Sequence, residues 1–194
     1  MISGPVALRP PPKVFFVAVM TADEMLAAVE RHLSRCDALI MAAAVADWRP
    51  RRVSQQKIKK TTGPQVLCLE PTPDILKTLR SKKGRRVFIG FAAETERIMA
   101  GARRKLAEKG LDLIVANDVS RPDAGFEVNT NRVTLMEASG GVRVLPLMTK
   151  LKVASRILDW LEAPARNASH SVAGGRAGQR PVFSGVVNVK GLAD

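Results

Sequence analysis

Short apolar segments that alternate with amphipathic helical segments constrain this fold more than any other feature of the sequence. Apolar runs begin at Lys13, Ala38, Arg85 and Leu111, and each is followed by turn residues or by a segment with helical periodicity. Short apolar runs with such boundaries are typical of buried strands. Strands that alternate with helices indicate βαβ units. The sequence therefore predicts an α/β, three-layer, Rossmann-like and mainly parallel sheet with helices on both faces.

Local signals predict where several helices begin and end. Thr21 and Glu24 form a capping box, so a helix should begin at Thr21. Thr72 is expected to cap a second helix that has Pro73 at its first position. Gly110 should end the helix that follows the third apolar run.

The sequence pattern of the last third of the chain predicts a β-hairpin, a helix and an extension. Residues 132–137 and 142–147 read as a hairpin around Ser139, and residues 149–161 read as the last helix. After Pro164 the chain is rich in Gly, Ala and Ser and has no sustained periodicity. We expect one domain over residues 1–162 and a flexible extension over residues 163–194.

The composition favours an anion-binding protein of the cytoplasm. Of 194 residues, 31 are Lys or Arg and 18 are Asp or Glu, and the resulting charge of +13 attracts polyanions. Only 4% of the residues are aromatic, which disfavours a single-strand nucleic-acid binder because few rings could stack on bases. No apolar run is long enough for a membrane helix, so no membrane is expected as a partner. Cys36 and Cys68 lack metal-site spacing and should stay reduced.

A basic stretch follows the second apolar run directly. The segment has one acid, Asp47, and then six cations with no further carboxylate: Arg49, Arg51, Arg52, Lys57, Lys59 and Lys60. Ligands of parallel sheets bind beyond the carboxyl ends of the strands, and cations there can neutralise an attacked phosphate. The stretch therefore suits a nucleoside triphosphate. Taken alone, the stretch is more simply interpreted as a solvated cationic loop.

Two further junctions place polar or small residues at strand ends. Residues 90–95 read GFAAET and residues 116–120 read ANDVS. Small residues allow a ligand to approach the backbone, although each junction alone could be only a tightly packed turn. Neither GxxxxGK[ST] nor GxGxxG is present, so phosphate must be held in another way. His32 and His170 lie in a helix and in the extension, and neither is given a catalytic or metal role.

These motifs resemble a known family when they are taken in order. The stretches AAAVADWRP, KIKK, TPDIL, GFAAET, KGLDLIVANDVS, GF and N-x-VTL are similar to phosphopantothenoylcysteine synthetase, also called phosphopantothenate–cysteine ligase. The resemblance covers residues 2–161. In bacteria this domain is commonly the C-terminal half of a bifunctional coenzyme A biosynthesis protein, so FMN would belong only to the fused decarboxylase.

The resemblance implies a ligase with three small-molecule substrates. The carboxylate of 4′-phosphopantothenate would attack the α-phosphate of CTP, with Mg²⁺, and form an acyl cytidylate and pyrophosphate. The amine of L-cysteine would then displace CMP and form an amide. Bacterial members use CTP and eukaryotic relatives prefer ATP, and the spacing of these residues does not decide between the two. A homodimer is also implied, with nucleic acid an unlikely partner.

The resemblance also assigns residues. Lys57 would be the catalytic lysine and would also contact the nucleotide. No metal ligand is assigned. The nucleotide-binding residues carried over by motif are Met41, Ala42, Ala43, Asp47, Lys57, Pro73, Asp74, Ile75, Leu76, Phe91, Lys105 and Lys109.

The chain departs from the family at both ends. Family members begin with a strand, a glycine-rich loop and a helix, whereas this chain starts at what resembles the second strand. The absent strand would lie near the centre of the sheet, so we expect exposed apolar edges and a chain that by itself folds poorly or is inactive. The alternatives are an inactive fragment that adds to a partner and a basic nucleic-acid-binding module, whose binding would weaken steeply with salt.

Overall fold

The computed structural model describes residues 1–60, 62–94, 98–119 and 128–163. The expected extension beyond residue 163, His170, the GF motif and residue 120 of ANDVS lie outside the described residues. No helix in the described ranges is long and apolar enough to cross a membrane.

The helices and strands are named here in chain order. The helices are α1 (Ala22–Leu33), α2 (Ile75–Leu79), α3 (Ile98–Lys109) and α4 (Lys150–Leu161), and one 3₁₀ turn spans Arg80–Lys82. The strands are β1 (Ile2–Ser3), β2 (Val17–Ala18), β3 (Ala38–Met41), β4 (Trp48–Pro50), β5 (Leu69–Pro71), β6 (Val87–Glu94), β7 (Leu113–Asp118), β8 (Thr130–Asn131), β9 (Val133–Glu137), β10 (Val142–Val144) and β11 (Met148–Thr149).

A five-stranded sheet with the order β10-β9-β7-β6-β3 forms the centre of the fold. β3, β6 and β7 are parallel, and β9 and β10 add an antiparallel hairpin at the other edge. The predicted hairpin is thus confirmed, and it belongs to the main sheet. β1–β2, β4–β5 and β8–β11 form separate two-stranded sheets. Because parallel strands share a direction, β3, β6 and β7 all end at the same edge of the sheet.

Both faces of the sheet are covered by helices, so the predicted three-layer α/β fold is confirmed. Alternate residues of a strand point to opposite faces. Phe88 and Ile114 therefore pack with α1, α2 and α3, whereas Ile89 and Val115 pack with α4. Phe88 and Ile89 are each 0% exposed. Buried runs on both faces explain why the central strands read as continuous apolar segments.

Most of the helix boundaries agree with the sequence signals. The Thr21 hydroxyl accepts a hydrogen bond from the Glu24 amide at 3.1 Å, and α1 follows directly. α3 ends at Lys109, and Gly110 has a φ of 63°. α4 begins after Thr149, whose hydroxyl accepts from the Lys152 amide.

The prediction that Thr72 caps the second helix is wrong. Asp74, not Thr72, caps α2, because the Asp74 carboxylate accepts from the Lys77 amide at 3.1 Å. The Thr72 hydroxyl instead donates to the Ala46 carbonyl, a partner that is distant in sequence. α2 therefore begins two residues later than the Thr-Pro signal indicates.

The prediction that the first apolar run, which begins at Lys13, forms a buried strand is also wrong. Only Val17 and Ala18 form β2, and the Phe15 side chain is 70% exposed. The only strand that pairs with β2 in the described residues is β1, so most of the run has no partner strand to cover it. β3 is an edge strand of the main sheet in the described residues, and its Leu39 and Met41 side chains are buried on the face that carries α1, α2 and α3.

Gly90 should not tolerate a side chain. A Cβ atom there would lie 2.7 Å from Cδ1 of Leu111 and 3.3 Å from Cδ1 of Leu76. We predict that Gly90→Ala lowers the free energy of unfolding by about 1–3 kcal/mol, the usual cost of overpacking a core. Chemical denaturation would measure this cost.

Gly141→Ala is the matched control for this prediction. Its nearest neighbour would be the flexible side chain of Glu137 at 3.1 Å, so we expect a change within about 0.5 kcal/mol. Equal stabilities for Gly90→Ala and the parent chain would contradict the close packing at β6.

Candidate nucleotide site

The register of β3 on β6 brings three of the assigned positions to one edge of the sheet. Met41 is paired with Gly90, and Ala42 and Ala43 follow Met41 at the carboxyl end of β3. Phe91 is the next residue of β6. The small side chains at residues 42 and 43 leave the backbone open to a ligand.

Asp47 is joined to the start of α2 through the β4–β5 pair. Trp48 of β4 lies opposite Pro71 of β5. The Thr72 amide donates to the Asp47 carbonyl at 2.9 Å. Asp47 is exposed, and Pro73 follows directly after this contact. The pairing thus places the backbone of Asp47 beside the segment that leads into α2.

Asp74 and Lys109 form an ion pair between α2 and α3. The Lys109 ammonium lies 3.1 Å from Oδ2 of Asp74, and Oδ1 of Asp74 caps α2. The Asp74 side chain is 40% exposed and the Lys109 side chain is 27% exposed. Lys105 precedes Lys109 by one helical turn and therefore lies on the same side of α3.

The hydrophobic residues assigned to the nucleotide point to both faces of the sheet. Ile75, Leu76 and Met41 are buried on the face that carries α1, α2 and α3. The Phe91 ring packs on the opposite face, with the residues around α4. Only the backbone of Phe91 therefore adjoins the small residues that follow β3.

Lys57 lies in an exposed segment. Residues 51–60 form no helix or strand, and all of them are exposed. Within the described part of the chain, the ammonium groups of Lys57, Lys59 and Lys60 make no ion pair. The structure does not place Lys57 against the other assigned residues.

A cavity of about 360 Å³ lies on the other side of the segment that follows β3. The carboxyl ends of β1 and β2, the start of α1 and the segment after β3 surround it. It shares no residue with the assigned nucleotide set. Its lining residues are Gly4, Pro5, Val19, Met20, Thr21, Ala22, Asp23, Met25, Ala44, Val45, Ala46, Trp48, Arg49 and Thr72.

Arg49 connects the β4–β5 pair to α1 at the rim of this cavity. Its Nε lies 2.8 Å from the Glu70 carboxylate, and its Nη1 contacts the Asp23 carboxylate. The hydrogen bond that Arg49 donates to Glu70, followed by the charge of Asp23, raises the pKa of Arg49 above its ordinary value. In the sequence, Arg49 is one of six cations in a stretch without a further carboxylate. In the structure, the charge of Arg49 is matched by the carboxylates of Asp23 and Glu70.

Asn131 is not among the site residues predicted from the sequence. This residue is buried, with 8% exposure, and its amide nitrogen donates to the Asn117 side-chain oxygen at 3.5 Å. The contact joins the ends of β7 and β8. The N-x-VTL and ANDVS motifs contained both residues, but only the fold shows that they meet.

A metal site made by protein residues alone is not found. The described residues include no group of three or more His, Cys, Asp or Glu side chains that could hold an ion. Mg²⁺ at nucleotide sites is commonly held by one or two carboxylates, with phosphates and water supplying the other ligands. The exposed Asp47 carboxylate could supply one such ligand, so the residues fit a metal that arrives with a triphosphate.

The fold defines a class of protein: an α/β domain whose ligand crevice lies beyond the carboxyl ends of its parallel strands. In this chain an exposed basic segment, residues 51–60, follows the strand β3 that ends there. The family follows from comparison with known proteins. Residues 1–164 match the family described as DNA/pantothenate metabolism flavoprotein C-terminal domain. The chain belongs to this family.

Two proteins that are similar to this chain are both described as CoaBC. The chain is 46% identical over 164 residues to the coenzyme A biosynthesis bifunctional protein CoaBC of Bacillus subtilis (strain 168), which covers 84% of this chain and 40% of that protein. It is 43% identical to a crystal structure of the C-terminal domain of CoaBC, with a TM-score of 0.69, over 83% of this chain and 71% of that one. The chain therefore spans about 40% of the length of the curated relative.

A more distant structure shares the fold alone. A Cab2 mutant in complex with phosphopantothenate-cysteine is 18% identical, with a TM-score of 0.57, over 77% of this chain and 54% of that one.

We predict that the Arg49 contacts hold the β4–β5 pair against α1. In Arg49→Ala both contacts are lost, so the backbone amides of residues 48–49 and 69–70 should exchange with deuterium faster. Because exposed ion pairs contribute little to global stability, the melting temperature should change only slightly. Hydrogen-exchange mass spectrometry measures the first effect and thermal unfolding the second.

Arg156→Ala is the control, because Arg156 also pairs with an exposed carboxylate, that of Asp159 at 3.4 Å. It should leave exchange in residues 48–71 unchanged. If Arg49→Ala does the same, Arg49 does not hold the β4–β5 pair.

Proposed function

We propose that this domain serves the CTP-dependent ligation of 4′-phosphopantothenate to L-cysteine in coenzyme A biosynthesis. Membership in the family supports the pathway, since the Bacillus relative is named as a coenzyme A biosynthesis protein. A Cab2 mutant with a similar fold binds phosphopantothenate-cysteine, and this supports the same compound as the product of the proposed reaction. The use of CTP instead of ATP rests on the resemblance to bacterial members.

The observation that carries the proposal is the assembly of one rim from distant parts of the sequence. Met41 pairs with Gly90 where β3 ends, the Asp47 backbone contacts Thr72, and Asp74 pairs with Lys109. We infer that these segments surround one nucleotide. The exposed cations of residues 51–60, which make no ion pair in the described part of the chain, would bring positive charge to this rim. A triphosphate needs such a combination of an open backbone, polar side chains and mobile positive charge.

Each group on the rim has a separate task in the proposed reaction. A carboxylate oxygen of phosphopantothenate attacks the α-phosphorus, and pyrophosphate leaves with the electron pair of the broken P–O bond. Lys57 neutralises the charge that builds up on the phosphoryl oxygens during this step. The backbone at Ala42 and Ala43 and the side chains of Asp74 and Lys109 hold the nucleotide in place. When bound, Mg²⁺ would lower the negative charge of the triphosphate.

The second step needs little from the described residues beyond positioning. The cysteine amine attacks the acyl carbon, an amide bond forms, one proton is released and CMP leaves. Cations near the phosphate stabilise the departing CMP.

The homodimer and the cytoplasmic location stay predictions. Exposed apolar side chains on the β4–β5 pair and the loop between its strands, among them Trp48 at 58%, Val66 at 91% and Leu69 at 50%, would suit contact with a second copy. The inactivity of the chain by itself also stays a prediction.

We predict that Lys57→Gln lowers CMP formation at least about 100-fold, as the loss of one transition-state charge does elsewhere. The assay combines CTP, Mg²⁺, 4′-phosphopantothenate and cysteine and follows CMP. Lys152→Gln is the control, since Lys152 is exposed on α4, away from the rim, and it should match the parent chain.

Binding of CTP separates the two parts of the proposal. A parent chain that binds CTP but forms no CMP supports the nucleotide site and the predicted inactivity. In that case Lys57→Gln should weaken CTP binding in calorimetry relative to Lys152→Gln. A folded chain that neither binds CTP nor forms CMP would contradict the proposed function.

A further inference from the structure

The β4–β5 pair carries the basic segment of residues 51–60 at the end away from Asp47. The segment leaves β4 directly after Pro50, and the Arg51 amide still donates to the Cys68 carbonyl at 3.0 Å across the pair. Because an extended residue spans at most about 3.4 Å, the Lys57 backbone lies within about 20 Å of this contact. The direction of the β4–β5 pair therefore limits where the Lys57 ammonium can bind an anion.

The β4–β5 pair by itself is too small to keep one orientation. Each strand has three residues, and the Trp48 and Leu69 side chains are exposed instead of packed in a core. An isolated pair of two short strands is at best marginally stable in water. Contacts between the pair and the rest of the domain must therefore set its orientation.

Arg49 supplies such a contact from the middle of the pair. Its Nε donates to the carboxylate of Glu70, the residue opposite on β5, and its Nη1 donates to the carboxylate of Asp23 in the first turn of α1. A planar guanidinium presents its N–H groups in fixed directions, so it can bind both carboxylates at once. Since α1 is anchored in the core by Met25 and Val29, Arg49 ties both strands of the pair to a fixed helix.

The charges around Arg49 argue against a direct contact with phosphate. One guanidinium and two carboxylates give the group of Asp23, Arg49 and Glu70 a net charge of −1, which repels a triphosphate. Lys57 and Lys59, in contrast, make no ion pair with the residues that the structure describes. Arg49 is therefore placed to orient the basic segment, and the lysines of the segment are placed to bind the anion.

We propose that Arg49 is a positioning residue of the nucleotide site. Its contact with Asp23 orients the β4–β5 pair, and the pair in turn holds Lys57 where it meets the phosphates. Asp23 thus contributes to nucleotide binding from α1, and neither Asp23 nor Arg49 is among the residues that the resemblance assigns. This inference rests on the proposed function, because it requires a triphosphate beside residues 51–60.

Asp23→Asn tests the proposal, because positioning and direct binding predict opposite results. The variant weakens the tie between Arg49 and α1 without removing any cation. If Arg49 orients the segment, CTP should bind about two- to tenfold more weakly, in keeping with the loss of one or two exposed ion pairs. If Arg49 itself bound phosphate, the released guanidinium should bind CTP more tightly. Calorimetry with Mg²⁺ present measures the affinity, and Asp159→Asn on α4 controls for the loss of one exposed carboxylate.

A double variant shows whether the effect of Arg49 passes through Lys57. Arg49→Ala should also weaken CTP binding about two- to tenfold in the parent chain. In a chain that already carries Lys57→Gln, the same change should cost at most about twofold, because the effects of coupled residues are not additive. Arg49→Lys keeps the charge but lacks the planar fork, so it should recover only part of the affinity.

Unchanged or tighter CTP binding by Asp23→Asn would overturn the inference, and so would equal losses from Arg49→Ala with and without Lys57→Gln. In both results the parent chain still binds CTP, so the proposed function would survive. A parent chain that binds no CTP would overturn both. A role of Arg49 in stability alone predicts lower melting temperatures with unchanged CTP affinity of the folded variants, so thermal unfolding separates that role from positioning.

Discussion

The close approach of two leucine side chains to β6 at Gly90 is the constraint on which the candidate site depends. Leu76 of α2 and Leu111, just after α3, both pack where a Cβ atom of residue 90 would lie. Because the strand has no side chain at this point, the start of α2 and the end of α3 can meet above it. Asp74 and Lys109 are brought within ion-pair distance by this packing. The same residue of β6 is paired with Met41, which fixes the end of β3 beside them.

The charges around this edge are divided in a way that suits an asymmetric ligand. Asp74 and Lys109 neutralise each other, and Arg49 is neutralised by Asp23 and Glu70. The excess charge of +13 is therefore not spread evenly over this region, and Lys57, Lys59 and Lys60 make no ion pair with the residues that the structure describes. A nucleotide has one neutral end and one anionic end, so it can align with this division. The basic stretch of the sequence thus contains one structural cation and several that are free to bind phosphate.

Local signals predicted the helices well because the cause of each boundary lies within a few residues. The Thr21 capping box and the Gly110 end depend only on the neighbouring backbone. Thr72 failed as a cap because its hydroxyl donates to Ala46, which is 26 residues away. Arg49 could not be separated from the free cations for the same reason, since its two carboxylates lie 26 and 21 residues away.

Apolar runs predicted the central sheet but not the first strand. The runs that contain β3, β6 and β7 have neighbours on the sheet and helices above it, so their side chains are buried. The run before α1 is also apolar, yet its Phe15 ring is exposed and meets the His32 ring edge to face, at 5.4 Å between ring centres. Burial depends on partner strands, and a single apolar run contains no information about them. The resemblance assigned the site residues, and only the fold showed that Asp74 and Lys109 pair while Phe91 points to the opposite face.

A crystal structure of the chain with CTP and Mg²⁺ would test the central claim most directly, because it locates both ends of the nucleotide. We expect the nucleotide along the edge where β3 ends, with the sugar near residues 41–43 and the phosphates beside the segment of residues 51–60. A nucleotide bound instead in the 360 Å³ cavity between α1 and the segment after β3 would contradict the assignment of the site. The same is true of phosphates that lie against the Asp74 carboxylate.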